Sequence, residues 1–218
     1  MEKMPIPQII ELLTSIYNLD IKNPCLNERY LHHYFTKTIQ KEFPIIFDDL
    51  HKSKLHPEWA TSNQYRLKGG KYKKNDNKYE INDNGTSGFI DFALNDYYNP
   101  QIGIEFKCNK SWNFQSIVFD YMKLMDKNNL LQQAISFSII YRDKRLSNEL
   151  KLNNINETII ELKKRLNSRL ATNRQFLFWI VEIAVETKSK RSWYCTNLDE
   201  KFLIGIPNEI NTSTQHAV

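Results

Sequence analysis

Three ionisable residues stand on otherwise apolar ground: Asp91 in Phe89-Ile90-Asp91-Phe92-Ala93-Leu94, and Glu105 and Lys107 in Ile102-Gly103-Ile104-Glu105-Phe106-Lys107-Cys108. Ile90, Phe92 and Leu94 alternate with Phe89, Asp91 and Ala93, while Ile102, Ile104, Phe106 and Cys108 alternate with Gly103, Glu105 and Lys107, so both runs read as strands. The polar turn from Asn95 to Gln101, with Pro100, makes them a hairpin. A register that buries both apolar faces turns Asp91, Glu105 and Lys107 together to the opposite face. Two neighbouring carboxylates repel, and both stay ionised most easily around a hard divalent cation, for which Mg2+ is the natural occupant and Mn2+ a substitute. Such an ion lowers the pKa of a bound water and neutralises charge on a phosphate, and an adjacent ammonium stabilises the anionic transition state. The chemistry these residues suggest is phosphodiester hydrolysis.

Gly88-Phe89-Ile90-Asp91, the fourteen positions from Asp91 to Glu105, and Ile104-Glu105-Phe106-Lys107 resemble the PD-(D/E)xK nuclease superfamily, which includes restriction endonucleases and Holliday junction resolvases. Ile90 stands where that pattern has proline, and no chemistry depends on the ring. The resemblance covers Glu28 to about Tyr141 and leaves the C-terminal third unassigned. It implies a restriction-endonuclease-like fold, with Asp91, Glu105 and the Phe106 carbonyl as Mg2+ ligands. It also implies that Lys107 positions or activates water, and that the product carries a 5′-phosphate. Members often place a supporting glutamate on a helix before the sheet, here Glu28, and a polar residue on the helix after the lysine, here Gln115 or Asp120. Asp120-Tyr121-Met122-Lys123-Leu124 is similar to the Asp-x-x-Lys-Leu helix of several nuclease-like families.

The elements that must position these groups follow from periodicity. Ile9, Leu12, Leu13, Ile16 and Tyr17 recur at helical spacing up to about Leu19, behind Pro5 and Pro7. Asn27 can cap a second helix with Leu31, Phe35, Thr38 and Ile39 on one side, opened by Glu28 and stopped by Pro44. Signals from Phe47 to Ala60 are mixed, and Arg66 to Lys78 reads as a basic, turn-prone segment. After the hairpin, Ser111 can cap a helix bearing Phe114, Ile117, Tyr121, Leu124 and Met125. Ala134 to Tyr141 is a strand, and Ile155, Ile159, Leu162, Leu166 and Leu170 mark a long helix. Phe176 to Val185 reads as a strand covered on both faces, and Ser192 to Ile206 as another strand or hairpin. The fold class expected is α/β: a mixed β-sheet flanked by helices, antiparallel at the first hairpin and partly parallel after it. Residues 1–218 read as a single nuclease-like domain, with 1–25 an N-terminal helical extension and 145–218 a C-terminal helix-strand elaboration.

With 218 residues, 41% apolar and 25% charged, the chain has the composition of a globular protein rather than a disordered one. Its net charge of +5 permits a polyanionic partner. Lys68, Lys71, Lys73, Lys74, Lys110 and Trp112 are the candidate nucleic-acid contacts, with Arg142, Lys144 and Arg145 able to extend that surface. Three widely spaced cysteines without a zinc pattern fit a reducing cytoplasm, and no apolar run approaches the ~20 residues of a membrane span. Cys108 points by strand parity to the apolar side as a small hydrophobe, Trp179 belongs to the core, and His32, His33, His51 and His56 read as structural or surface residues. The expected activity is a cytoplasmic Mg2+-dependent DNA endonuclease in restriction, phage defence or DNA processing, acting as a homodimer on duplex. The alternatives are a junction-resolving or repair nuclease, and a catalytically silent nucleic-acid-binding subunit with the same fold.

Overall fold

Asn27 sets the first fixed point of the fold. Its side-chain oxygen accepts the Tyr30 N–H at 2.9 Å and opens helix α2, Glu28–Ile39. In the computed structural model, which describes residues 6–18, 27–41, 49, 51–67, 79–81, 86–110, 114–142, 150–166, 168–196 and 202–207, α2 follows α1, Ile6–Asn18. Strands β1, Leu55–Leu67, β2, Tyr79–Ile81, β3, Thr86–Asn95, and β4, Pro100–Asn109, come next, then α3, Phe114–Met125, and β5, Gln133–Arg142. The chain continues with α4, Leu150–Leu166, β6, Gln175–Ala184, β7, Ser189–Cys195, and β8, Leu203–Ile204.

The strands form one eight-stranded mixed sheet in the order β2-β1-β3-β4-β5-β6-β7-β8. β3 and β4 pair antiparallel as a hairpin, and β4, β5 and β6 run parallel. The crossovers α3 and α4 lie on the same face, as crossovers of one hand require when strands are added in one direction. That face packs Ile117, Tyr121, Ile155 and Ile159 against Ile90, Ile140, Phe178 and Ile180. The other face packs α1 and α2, through Ile9, Leu13, Leu31 and Phe35, on Phe92, Ile104, Phe106, Phe137 and Trp179. Helix α1, expected as an extension, thus contributes to a core of the sheet itself. Covered on both faces, β6 is buried along nearly its whole length, and its Glu182 is paired with Arg142 Nε at 3.1 Å. Arg142, read from sequence as part of a nucleic-acid surface, is therefore engaged within the fold.

Three expectations need correction. The thirteen-residue strand β1 takes in the end of the stretch that carried mixed signals, from Leu55, and the start of the basic segment, Arg66 and Leu67. Pro57, Ser62 and Asn63 are poor strand formers, and pairing with β3 overrides them, at the cost of a register shift between Ala60 and Gln64. The fourth helix runs from Leu150 to Leu166, and Leu170 instead bridges Asp126 beside the end of α3. Ile90 packs toward α3 and α4 rather than with Phe92 and Leu94. Among the described residues no helix is long and apolar enough to cross a membrane.

The position of α3 is held from its C-terminal end. Arg174 donates to the main-chain oxygens of Leu124, Asp126 and Leu131, the last at 2.7 Å, satisfying carbonyls the helix leaves open. Asp126 in turn accepts from the Tyr65 hydroxyl at 2.8 Å. Tyr65 lies flat against Gly88, where a Cβ would come within 2.7 Å of the ring. The glycine ahead of Asp91 is thus required by this close approach.

Glu58 has a left-handed backbone, φ 52°, which costs a side chain with a Cβ about 1–2 kcal/mol. Glu58→Gly is therefore expected to raise the unfolding free energy by about 1 kcal/mol, and Gly88→Ala to lower it by about 1–3 kcal/mol. Urea denaturation of the two variants beside the parent checks both signs.

Candidate active site

Asp91 occupies a break in the sheet. The β3–β4 ladder pairs Leu94 with Ile102, Ala93 with Gly103 and Phe92 with Ile104, and then stops. One residue further, the Asp91 carboxylate accepts the Phe106 N–H at 2.7 Å, taking the place a strand carbonyl would hold. The ladder to β1 is interrupted at the same level: Pro57 pairs with Phe92 and Trp59 with Ile90, and the residue between on β1 is the left-handed Glu58. The freed carboxylate lies against α2, where Asp91 Oδ2 is 3.3 Å from His32 Nε2.

Glu105 points the other way, toward α3, and is fully buried. Its carboxylate is ion-paired with Lys123, which also lies 3.1 Å from Asp120 Oδ1 and donates to the Phe89 carbonyl at 2.8 Å. Lys107 joins the two sides. Its Nζ is 3.2 Å from Asp120 Oδ2, 3.4 Å from Glu28 Oε1 and 4.0 Å from Glu105 Oε2, and donates to the Phe106 carbonyl at 3.0 Å. Asp120 therefore bridges the two lysines.

Four carboxyl groups face two ammonium groups, so acids outnumber bases in the cluster. Burial pushes the Asp91 carboxyl up, yet the contact with His32, the charge of Lys107 and the Phe106 N–H together hold it below its ordinary value. For Glu105, burial and then Asp120 dominate, and Lys123 offsets them only in part, so this carboxyl is raised well above its usual range. Both lysines are held above theirs: burial opposes the charge, but the surrounding carboxylates outweigh it. Cys108, beside α2 and the core of that face, is pushed up to about 11 chiefly by burial, as befits an inert thiol.

The structure gathers the residues singled out in the sequence, but in a different arrangement. Asp91, Glu105, Lys107, Glu28 and Asp120 do converge on one locality, but Asp91 and Glu105 do not share a face, because the break at Asp91 shifts strand parity. The ligand atoms that lie within 4.8 Å of one another are those of Glu28, His32 and Asp91. Glu105, expected as a ligand, is taken by Lys123, and the Phe106 carbonyl by Lys107. Two carboxylates with an imidazole, beside a surplus of acids over bases, suit a divalent cation. Lys110 is exposed just beyond β4. Lys68, Lys71, Lys73, Lys74 and Trp112 lie outside the described residues, as do Lys144, Arg145 and the side chain of Gln115. Lys123 belongs to the Asp-x-x-Lys-Leu pattern, whereas His32 read as structural, although Glu28-x-x-x-His32 places the pair on one side of a helix.

Fold and site together define a mixed α/β protein with an enclosed carboxylate–lysine cluster at a broken strand pair. Comparison with family models, with curated proteins and with solved structures finds no match.

The cluster makes stability depend on pH in two opposed ways. Asp91 is lowered, so its contribution is present above its ordinary value of 3.8 and is lost as pH falls through the folded value. Glu105 is raised, so its contribution is present below 4.5 and is lost as pH rises through the folded value. In EDTA, Glu105→Gln is expected to flatten the decline in unfolding free energy above pH 4.5. Thermal melts of parent and variant across pH check this, and identical slopes would mean that Lys123 keeps Glu105 ionised throughout.

Proposed function

We propose that this protein is a divalent-metal-dependent DNA endonuclease of the PD-(D/E)xK type with a restriction-endonuclease-like core, acting in the cytoplasm in restriction, phage defence or DNA processing. The observation that carries this reading is the placing of Lys107 among Glu28, Asp120 and Glu105 beside the carboxylate of Asp91. The order of elements supports it: an acid-bearing antiparallel hairpin, a crossover helix returning an acid and a lysine to the same cluster, and then a parallel strand.

Asp91 and Glu28 would hold the ion, which supplies charge neutralisation at the phosphate and a bound water of lowered pKa. Lys107 is held above its ordinary value and therefore stays protonated at neutral pH. It cannot accept the proton of the attacking water. Its role is to donate to the water or to a non-bridging phosphate oxygen, and so to stabilise the charge that grows as the P–O bond breaks. Asp120, bonded to both lysines, fixes the ammonium's position. Glu105 and Lys123 tie β4 to α3 beneath it. The net charge of +5 and the exposed Lys110 favour a polyanionic substrate. One cluster cuts one strand at a time, so cutting both strands of a duplex calls for a symmetric pair of copies.

Supercoiled plasmid and a four-way junction, each with Mg2+, Mn2+ or EDTA, test the proposal. The expected result is metal-dependent nicking that falls by about a hundredfold or more in Lys107→Ala. Preference for the junction would identify a resolving nuclease. Tight binding without cutting under any divalent ion would overturn the enzyme and leave a silent nucleic-acid-binding subunit.

A further inference from the structure

We infer that His32 is itself a ligand of the ion, and that the site accordingly takes a first-row divalent cation such as Mn2+ in preference to Mg2+. This rests on the metal-dependent reading above and goes beyond it in naming the ligand and the ion. The first observation is placement. Glu28 and His32 are four residues apart on α2, so they lie one turn apart on the same side of the helix, and both face Asp91 across the broken ladder. Two helix residues and one strand residue then present three ligand atoms from separate elements. Among the described residues His32 is the one histidine in such a group.

The second observation is the state of the ring. His32 Nε2 is sealed from solvent and aimed at the Asp91 carboxylate, 3.3 Å from its Oδ2. Its ring is wedged edge-on to Phe92, with centroids 5.2 Å apart, and tilted against Phe106 at 5.6 Å. A ring nitrogen so fixed and desolvated, facing a carboxylate, has the placement a metal ligand needs. The third observation is the fate of the other acids. Lys123 and Lys107 engage Glu105 and Asp120 closely, while Glu28, reached by Lys107 at 3.4 Å through Oε1, and Asp91 supply the oxygens beside the ring.

Ion preference follows from ligand chemistry. Mg2+ favours an all-oxygen shell and dehydrates reluctantly, while imidazole suits first-row transition ions. A set of two carboxylates and one imidazole therefore discriminates against Mg2+.

Binding of Mn2+ to the full chain without DNA, followed by electron paramagnetic resonance with electron spin echo envelope modulation, tests this apart from activity. The expected result is one bound Mn2+ showing histidine 14N modulation, retained against about a tenfold excess of Mg2+. In His32→Phe, which keeps an aromatic ring beside Phe92 and Phe106, the modulation should vanish and Mn2+ affinity fall by about tenfold or more. His33→Ala should change neither. If the Phe variant does not fold, 15N-histidine labelling of the parent answers the ligand question, since the modulation pattern changes only when a histidine nitrogen is bound. Mn2+ bound without nitrogen modulation, modulation that survives His32→Phe, or displacement by equimolar Mg2+ would overturn the inference while leaving a metal-dependent nuclease intact. Absence of stoichiometric binding by any divalent ion would sink both.

Discussion

The hydrogen bond from the Phe106 N–H to the carboxylate of Asp91 is the contact on which the local architecture turns. A side chain there takes the place of a backbone acceptor, so β3 can leave β4 without stranding a buried donor. A hydrogen bond to a charged acceptor contributes about 1.5–3 kcal/mol, enough to hold two strand ends that the ladder no longer joins. A second fastening lies two residues back, where Lys123 grips the Phe89 carbonyl. Between them Ile90 drops into the α3–α4 core. The middle of β3 is therefore fixed to β4 by Asp91, to α3 by the Phe89 carbonyl and to the core by Ile90.

That arrangement explains why the acids are divided between two helices. Asp91 emerges toward α2 and meets His32 and Glu28, whereas Glu105 keeps the ordinary strand parity and meets α3. Lys107, at the end of β4, is the group long enough to span both, and its ammonium contacts acids from α2, β4 and α3. A lysine in so many fields is fixed in charge as well as in place. It offers a permanent positive charge and three donors, which suits it to growing negative charge and not to proton abstraction.

The broad plan was legible because periodicity is a direct consequence of burial. Ile104 and Phe106 alternate with Glu105 and Lys107 because β4 has distinct faces, and Phe176 to Val185 is apolar apart from Glu182 because β6 lies under helices on both sides. β1 was not legible, since Pro57, Glu58, Ser62 and Asn63 carry no local strand signal and are drawn into the sheet by pairing with β3. The parity break at Asp91 was hidden for a related reason: a single extended residue in irregular pairing leaves the pattern Ile90-Asp91-Phe92 unchanged. Sequence alone therefore singled out Asp91, Glu105 and Lys107 but set the two acids on one face. It read His32 as structural because a helical histidine has no signature until the strand opposite it is known.

Energetic cost bears on the choice between the proposed nuclease and a silent subunit. Enclosing Glu105 without solvent, with Asp120 close enough to repel it, is unfavourable even with Lys123 alongside, and a buried ion pair often contributes no more than an apolar pair of the same volume. Glu58 adds backbone strain at the same level of the sheet. A module that merely held nucleic acid would need basic groups on its surface and would have no use for a broken ladder, an enclosed surplus of acids and a clamped lysine in one place. Perturbed ionisable groups gathered where the strand pairing fails are what a reaction centre requires, since the ion and phosphate that would relieve the repulsion are the partners of the chemistry. The liability is hardest to account for if the cluster does nothing, and that asymmetry favours hydrolysis over binding alone.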